Sequence, residues 1–173
     1  MNGSGADHTR INRASWDKTA DSYQREHQPQ LSRDPMKWGV WGIPESDLDV
    51  LGDVRDRDVL EFGCGAAQWS IELARIGARA VGIDLSRRQL THAQRFVRSS
   101  GIVVPLVLAD CEQLPLEDSS FDVVFCDYGA MTFADPYATV PEVSRVLRSG
   151  GRFAFSTTSQ LFNMCLAEGA DHP

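Results

Sequence analysis

The feature that most constrains the fold of this chain is the run from Asp58 to Gln68, which reads DVLEFGCGAAQ. Its first five residues have the apolar character of a buried β-strand, and Gly63 and Gly65 follow directly. Glycine carries no Cβ and tolerates positive φ, so such a turn lets the backbone approach a ligand closely. The helix expected next would present free N–H groups in its first turn. The run therefore predicts a strand, a glycine turn and a helix that together form a ligand site.

The residues around this turn favour a positively charged ligand over a dinucleotide. A dinucleotide-binding fingerprint requires a small residue at the last position of G-x-G-x-x-G, and Gln68 stands there. Glu61 places a carboxylate at the end of the strand, which suits a cationic ligand better than a pyrophosphate. A nicotinamide cofactor is therefore disfavoured.

Two further apolar runs end in carboxylates at the spacing of a doubly wound sheet. The run AVGID ends at Asp84, about 20 residues past the glycines, where an acid meets ribose hydroxyls in such folds. The run PLVLAD ends at Asp110, which can accept a hydrogen bond from an adenine amino group. Acidic residues thus end three successive predicted strands.

The alternation of predicted elements indicates a parallel sheet with right-handed crossovers. We predict strands at 58–62, 79–84, 104–109, 121–127 and 151–156, helices at 67–76, 86–99 and 136–147, and a turn or short helix around 112–118. A longer helix is expected from Thr9 to His27 and a short one from Glu45 to Leu51, and Ser149-Gly150-Gly151 should end the last helix. The organisation expected is a disordered tail (1–8), a helical cap and loop (9–51), a core (52–158) and the start of a C-terminal segment (159–173).

Four motifs, in order along the chain, resemble those of the class I S-adenosylmethionine-dependent methyltransferases, especially the small-molecule branch. They lie at Glu61–Ala67, Gly82–Ser86, Ala109–Val124 and Glu142–Gly151. The resemblance implies an α/β, Rossmann-like doubly wound parallel sheet of order 3-2-1-4-5 with an N-terminal helical cap. It also implies S-adenosyl-L-methionine as cofactor and methyl transfer to a small molecule. The family usually continues into a further helix and a terminal β-hairpin, so we expect this chain, which stops at Pro173, to be a truncated domain.

The resemblance also implies a set of cofactor-binding residues. The glycine turn, with Glu61 and Gln68, would hold the methionine part, while Asp84 and Leu85 would hold the ribose and Asp110 and Cys111 would meet adenine. The full set is Tyr23, Glu61, Gly63, Cys64, Gly65, Gln68, Asp84, Leu85, Asp110, Cys111 and Cys126. No metal is expected, because the four cysteines show no C-x-x-C spacing.

Methyl transfer from a sulfonium needs positioning more than a protein nucleophile. The catalytic candidates are Asp127 and Tyr128, because they follow the fourth strand at the crevice where ligands bind in such sheets. A helix-capping Asp and a packing Tyr are the alternative interpretation. His27 is ranked below them as a base. Trp38 and Trp41 are interpreted as pocket residues slightly more readily than as core residues.

Charge and composition narrow the partners. A formal net charge of −7 argues against a nucleic-acid surface. The chain lacks a long apolar run and an apolar leader, so a cytoplasmic location is expected. A non-catalytic S-adenosylmethionine-binding module that needs a partner chain is the alternative function, and a nicotinamide-dependent oxidoreductase is less favoured. We also expect that these 173 residues are either a segment of a longer protein or, in isolation, self-associate through the fifth-strand edge and the apolar cluster 161–166.

Overall fold

The computed structural model of the chain describes residues 5–33 and 36–159. Helices and strands mostly alternate along the chain. They are α1 (Gly5–Arg33), β1 (Lys37–Trp38), β2 (Ile43–Pro44), α2 (Glu45–Leu48), β3 (Asp58–Phe62), α3 (Gln68–Arg75), β4 (Arg79–Asp84), α4 (Arg87–Ser100), β5 (Leu106–Leu108), β6 (Phe121–Asp127), α5 (Ala130–Phe133), α6 (Pro136–Val146) and β7 (Leu147–Ser156).

Five strands form one parallel sheet in the order β5-β4-β3-β6-β7, and β1 and β2 form a separate antiparallel hairpin. In the numbering of the five predicted strands this order is 3-2-1-4-5, so the predicted topology is confirmed. Glu61 of β3 pairs with Gly82 on one side and Phe125 on the other, which brings the carboxyl ends of three central strands to one edge. The strand-end residues singled out from the sequence therefore lie at the same edge of the sheet.

The central strands are mostly apolar because both faces of the sheet are covered. Alternate residues of β3 and β6 enter two different core clusters: Val59 and Phe125 pack on one face, and Leu60 and Val124 on the other. All four side chains are fully buried. The mostly apolar runs of the sequence are thus explained by two-sided burial.

The interpretation of Trp38 and Trp41 as pocket residues is wrong. Trp38 is buried in the core, with its ring 5.0 Å from that of Trp69 and its Nε1 donating to Glu45 at 2.5 Å. Trp41 lies between β1 and β2 and is 88% exposed. The β1–β2 hairpin carries both residues and packs the Trp38 indole into the core on one face of the sheet, where it buries more apolar area than it would at the edge of the cavity.

The end of α6 also differs from the prediction. The helix ends at Val146, and Gly150, with φ +77°, lies inside β7. The last helical carbonyls of Arg145 and Val146 accept hydrogen bonds from the backbone N–H groups of residues 119 and 120, so no glycine cap is needed. The register between β6 and β7 shifts at this point, which accommodates the extra residues around Gly150.

The N-terminal helix is longer than expected. It begins at Gly5, so residues 5–8, which were expected to be disordered, are helical, while residues 1–4 lie outside the described part. The helix packs on α4, where the Asp21 carboxylate accepts hydrogen bonds from Arg88 at 2.5 Å and His92 at 2.7 Å. Those two bonds hold the pKa of Asp21 below its ordinary value, with Arg88 contributing most. The predicted N-terminal helical cap is therefore present.

Two further expectations concern the C-terminal apolar cluster and the membrane-spanning potential of the helices. The apolar cluster 161–166 lies outside the described residues. Within the described ranges, no helix combines the length and the apolar character that a membrane span requires.

Candidate functional site

A cavity of about 760 Å³ opens at the carboxyl edge of the sheet, next to α1, and this volume is in the range of small-molecule sites. Twelve of the thirteen predicted site residues line it: Tyr23, Glu61, Gly63, Cys64, Gly65, Gln68, Asp84, Leu85, Asp110, Cys111, Asp127 and Tyr128. The structure thus gathers residues from α1, the glycine turn and the strand ends around one space.

Cys126 is the residue that the structure does not bring to the cavity. Its side chain is fully buried in the core with Leu60 and Phe62, where its Sγ accepts a hydrogen bond from the Met131 N–H at 3.4 Å. Burial raises the pKa of this thiol to about 12. Because side chains alternate along a strand, Cys126 points away from the side that Asp127 occupies. The prediction that it contacts the cofactor is corrected accordingly.

The glycine turn is held by the next strand and its terminal acid. Gly63 and Gly65 have φ of +79° and +52°, which explains the need for glycine. The Asp84 carboxylate accepts hydrogen bonds from the Gly65 N–H through Oδ2 and from the Ser86 N–H through Oδ1, each at 2.8 Å. Burial raises the pKa of Asp84 to about 6. Each oxygen keeps a second lone pair, so Asp84 can fix the turn and still accept from a ligand hydroxyl.

Ala67 stands where the methyltransferase motif usually has its third glycine. Its φ is +59°, so the backbone here does adopt the left-handed conformation that glycine favours. The residue is fully buried beside Leu90 and Ala93, which gives its methyl group a packing role that glycine would lack.

Glu61 is buried beside the first turn of α3. Its Oε2 accepts hydrogen bonds from the Ser70 backbone N–H at 2.9 Å and from the Ser70 hydroxyl at 2.5 Å. Burial raises the pKa of Glu61 to about 8, although the Ser70 bonds oppose that shift. A cationic group in the cavity would favour the ionised carboxylate, because opposite charges attract strongly where water is excluded.

Cys64 and Cys111, the two cysteines that line the cavity, pack among buried apolar side chains. Burial raises the pKa of both Cys64 and Cys111 well above the ordinary value for a thiol, so both are neutral. A Cβ built on Gly82 would lie 2.9 Å from the Cys64 Sγ, so the glycine of the second motif makes room for this sulfur. Within the described ranges no three metal-binding side chains come together.

The two catalytic candidates lie where β6 meets the β1–β2 hairpin. The Asp127 Oδ1 accepts hydrogen bonds from the Gly39 N–H at 2.8 Å and from the Ser156 hydroxyl. Burial raises the pKa of Asp127, and these bonds oppose the shift. A Cβ built on Gly39 would lie 3.2 Å from the Tyr128 ring. Asp127 therefore ties the hairpin to the end of β7, a role that sequence reasoning missed.

His27 also lines the cavity. Its Nδ1 lies 3.0 Å from the Tyr23 carbonyl oxygen, and the two rings stack with centroids 4.3 Å apart. Because a carbonyl can only accept, Nδ1 carries the proton and a neutral ring keeps Nε2 as an acceptor. The contacts with Tyr23 therefore fix the orientation of the imidazole, which the sequence did not reveal.

Sequence reasoning identified Tyr23 of α1 but missed the other aromatic and amide groups that this helix contributes. Trp16 makes edge contacts with Tyr23 and Phe133, at centroid distances of 5.5 and 5.3 Å. Asn12 donates to the Phe133 carbonyl at 2.8 Å. The signal that could have identified this face is helical spacing, because most cavity residues of α1 follow one another at steps of three, four or seven residues. They are Thr9, Asn12, Trp16, Tyr23, Gln24, His27 and Leu31.

Two buried polar atoms in the cavity wall have no hydrogen-bond partner among the described residues, Gln24 Oε1 and Gln68 Nε2. Buried polar groups are nearly always satisfied, so a ligand that offers both a donor and an acceptor fits here. S-adenosylmethionine carries an α-ammonium and an α-carboxylate group, ribose hydroxyls that could donate to Asp84, and an amino group that could donate to Asp110. The residues present therefore fit this cofactor.

Comparison with known proteins agrees with this chemistry. A family model described as a methyltransferase domain matches residues 60–155, more than half of the chain. The methyltransferase GfsG of Streptomyces halstedii is 34% identical over 141 residues, covering 71% of this chain and 50% of that protein. The chain thus spans about half the length of the curated relatives it matches.

Solved structures show the same fold. The YcgJ protein of Bacillus subtilis superposes with a TM-score of 0.58 and 29% identity, covering 62% of this chain and 47% of that one. Phosphoethanolamine N-methyltransferase 1 of Haemonchus contortus, solved with phosphoethanolamine and S-adenosylhomocysteine, gives a TM-score of 0.69 over 87% of this chain and 32% of its own. At 18% identity the latter likeness concerns the fold alone. Motifs, topology and family match together show that the chain belongs to the methyltransferase-domain family, with the fold of the class I S-adenosylmethionine-dependent methyltransferases.

Proposed function

We propose that this chain binds S-adenosylmethionine and transfers its methyl group to a small-molecule acceptor. The observation that carries the proposal is the Asp84–Gly65 hydrogen bond, which ties a strand-end acid to the glycine turn at the wall of the cavity. That arrangement presents backbone, a carboxylate and open space together, as a nucleoside-containing cofactor requires. A dinucleotide is a poor fit because Gln68 replaces the small residue of its fingerprint.

Each cavity group has a defined task in this proposal. The cofactor, when bound, supplies an electrophilic methyl group on a sulfonium, so the chain need only bind, orient and exclude water. Asp84 would accept from the ribose hydroxyls and Asp110 from the adenine amino group. Glu61, whose carboxylate is already held by Ser70, would contribute negative charge near the methionine part.

The walls of the cavity support an uncharged or cationic acceptor of modest size. Five acidic residues line it, and no Lys or Arg does so within the described ranges: the acids are Glu61, Asp84, Asp110, Glu112 and Asp127. An anionic acceptor would lack a counter-charge there. Trp16 and Phe133 supply an aromatic edge against which an apolar acceptor can pack.

Asp127 and Tyr128 are proposed to act on the acceptor, with His27 as the competing base. Asp127 has one oxygen committed to Gly39 and Ser156, whereas His27 keeps an acceptor nitrogen. Substitution of each residue in turn separates the two assignments. Only a measurement of turnover distinguishes an active methyltransferase from a non-catalytic binding module.

The proposal is tested by calorimetry with S-adenosylhomocysteine and NAD as competing ligands. We expect S-adenosylhomocysteine to bind and NAD not to bind. Labelled S-adenosylmethionine, offered with a panel of neutral, cationic and anionic small molecules, then reports transfer. Absence of binding to S-adenosylhomocysteine would overturn the cofactor assignment, and binding without transfer to any acceptor class would favour the non-catalytic alternative.

A further inference from the structure

The cap helix α1 brings a buried amide to the cavity wall. Gln24 is only 4% exposed, and its Nε2 donates to the Gln89 Oε1 at 2.9 Å. Its own Oε1 is buried without a partner in the described part of the chain. That leaves one hydrogen-bond acceptor unsatisfied at the cavity wall, on a helix that contributes none of the four sequence motifs.

The position of this amide relates it to the glycine turn. A Cβ built on Gly65 would lie 3.9 Å from the Gln89 Oε1, the atom to which Gln24 donates. Gln24 is therefore linked to the glycine turn through Gln89, because the Gln89 Oε1 that accepts its hydrogen bond lies beside Gly65. Two acids of the same wall, Glu61 and Asp84, make this part of the cavity favourable for a cation.

The second unsatisfied polar atom of the cavity wall is a hydrogen-bond donor rather than an acceptor. The Gln68 Nε2 is a buried donor without a partner in the described part, and Gln68 is the first residue of α3. The start of a helix carries partial positive charge, which favours an anion. The described lining holds no Lys or Arg, so a carboxylate must be bound by uncharged donors, among them the amide of Gln68 and the nearby backbone N–H groups.

We propose that Gln24 accepts a hydrogen bond from the α-ammonium group of the cofactor while Gln68 donates to its α-carboxylate. This inference rests on the proposed function and deepens it, because it gives Gln24, a cap-helix residue outside the predicted set, a defined contact with the cofactor. An amide acceptor on one helix and an amide donor on another match the two ends of a zwitterion. Binding of the amino-acid part would then hold α1 against the sheet.

Three ligands that differ only in the amino-acid part test this assignment by calorimetry. S-adenosylhomocysteine carries both charged groups, its decarboxylated analogue keeps only the amine, and methylthioadenosine has neither. Gln24→Met should weaken the first two ligands about tenfold and leave methylthioadenosine unchanged, because a hydrogen bond to a charged group is lost. Gln68→Met should weaken S-adenosylhomocysteine alone.

Gln24→Glu is the second variant, because it keeps a similar length and an acceptor oxygen. It should increase the preference for the decarboxylated analogue over methylthioadenosine, and this ratio serves as the test if Gln24→Met does not fold. Equal weakening of all three ligands by Gln24→Met would show a structural role and overturn the inference, as would an unchanged ratio in both variants. Failure of the wild-type chain to bind any of the three would instead overturn the proposed function.

Discussion

Gly63 and Gly129 meet backbone to backbone at the centre of the site. A Cβ built on Gly63 would lie 2.3 Å from the Ala130 nitrogen, and one built on Gly129 would lie 2.5 Å from the Gly63 oxygen. The turn after β3 and the turn after β6 therefore approach more closely than any side chain permits. This contact sets the distance between the cofactor turn and the segment that carries the catalytic candidates.

Gly129→Ala should disrupt this contact. Its φ is −88°, outside the left-handed region, so the obstacle is lack of space. Overpacking of this kind costs roughly 1–3 kcal/mol and should also weaken S-adenosylhomocysteine. Gly101→Ala is the control, because Gly101 has φ +69° with nothing within 4 Å, so it should cost about 1–2 kcal/mol of strain without affecting the ligand. Urea unfolding and calorimetry measure both effects, and equal ligand affinity in the two variants would contradict the prediction.

Asp84→Ala should weaken S-adenosylhomocysteine by about one to two decades. The variant removes the acceptor for the Gly65 N–H and the proposed acceptor for ribose, and a charged hydrogen bond contributes roughly 1.5–3 kcal/mol. Asp53→Ala is the matched control, because Asp53 pairs with Arg55 at the surface and should leave the affinity unchanged. Calorimetry that finds equal affinity for wild type and Asp84→Ala would refute the assignment.

Glu61 should make the stability of the ligand-free protein depend on pH. Its pKa is about 8 in the folded chain against 4.5 in the unfolded chain, so the folded state binds the proton more tightly. The stabilising effect of that proton is complete below about pH 4.5 and is lost progressively as the pH rises to about 8. The free energy of unfolding should therefore fall across this window.

Glu61→Gln removes this titration, so the stability difference between variant and wild type should grow in favour of the variant from pH 5 to pH 8 and level off above it. Glu117→Gln, at an exposed position, is the control and should show no such trend. Urea unfolding at several pH values checks the prediction, which a constant difference would contradict.

The choice of base is tested by three substitutions. If Asp127 or Tyr128 acts on the acceptor, Asp127→Asn or Tyr128→Phe should lower turnover at least tenfold, whereas His27→Gln should have a smaller effect. S-adenosylhomocysteine affinity, measured for each variant, separates a catalytic defect from loss of the hairpin contact with Gly39. Loss of turnover in His27→Gln alone would reverse the ranking.

Self-association through the edge of β7 stays a prediction. In the described part of the chain β7 pairs on one side only, with β6, and Phe155 is 47% exposed. Burial of such a side chain contributes about 1.5–3 kcal/mol, so Phe155→Lys should weaken a dimer about tenfold or more. Tyr137→Lys, at an exposed position of α6, should not weaken it. Sedimentation velocity decides, and a concentration-independent monomer of the wild type would contradict the prediction.

Local sequence determined the strands, the glycine turn and the three acids at strand ends. Both faces of the sheet are covered, so its strands appear as mostly apolar runs, and the acids follow where each strand leaves the core. Gly63 and Gly65 were identifiable because their positive φ is a requirement of the turn itself. The parallel sheet followed from the alternation of elements, whereas its strand order followed from the resemblance to the family motifs.

Only the tertiary structure decided which of these side chains share the cavity. Consecutive residues of a strand point to opposite sides, but a mostly apolar run does not show which side faces a ligand, so the sequence could not decide whether Cys126 or Asp127 lines the cavity. The burial of Trp38, the Asp127–Gly39 contact and the Gln24–Gln89 pair join residues far apart in the chain. Such contacts depend on how α1 and the hairpin pack against the sheet, and packing is a property of the whole fold rather than of any local run.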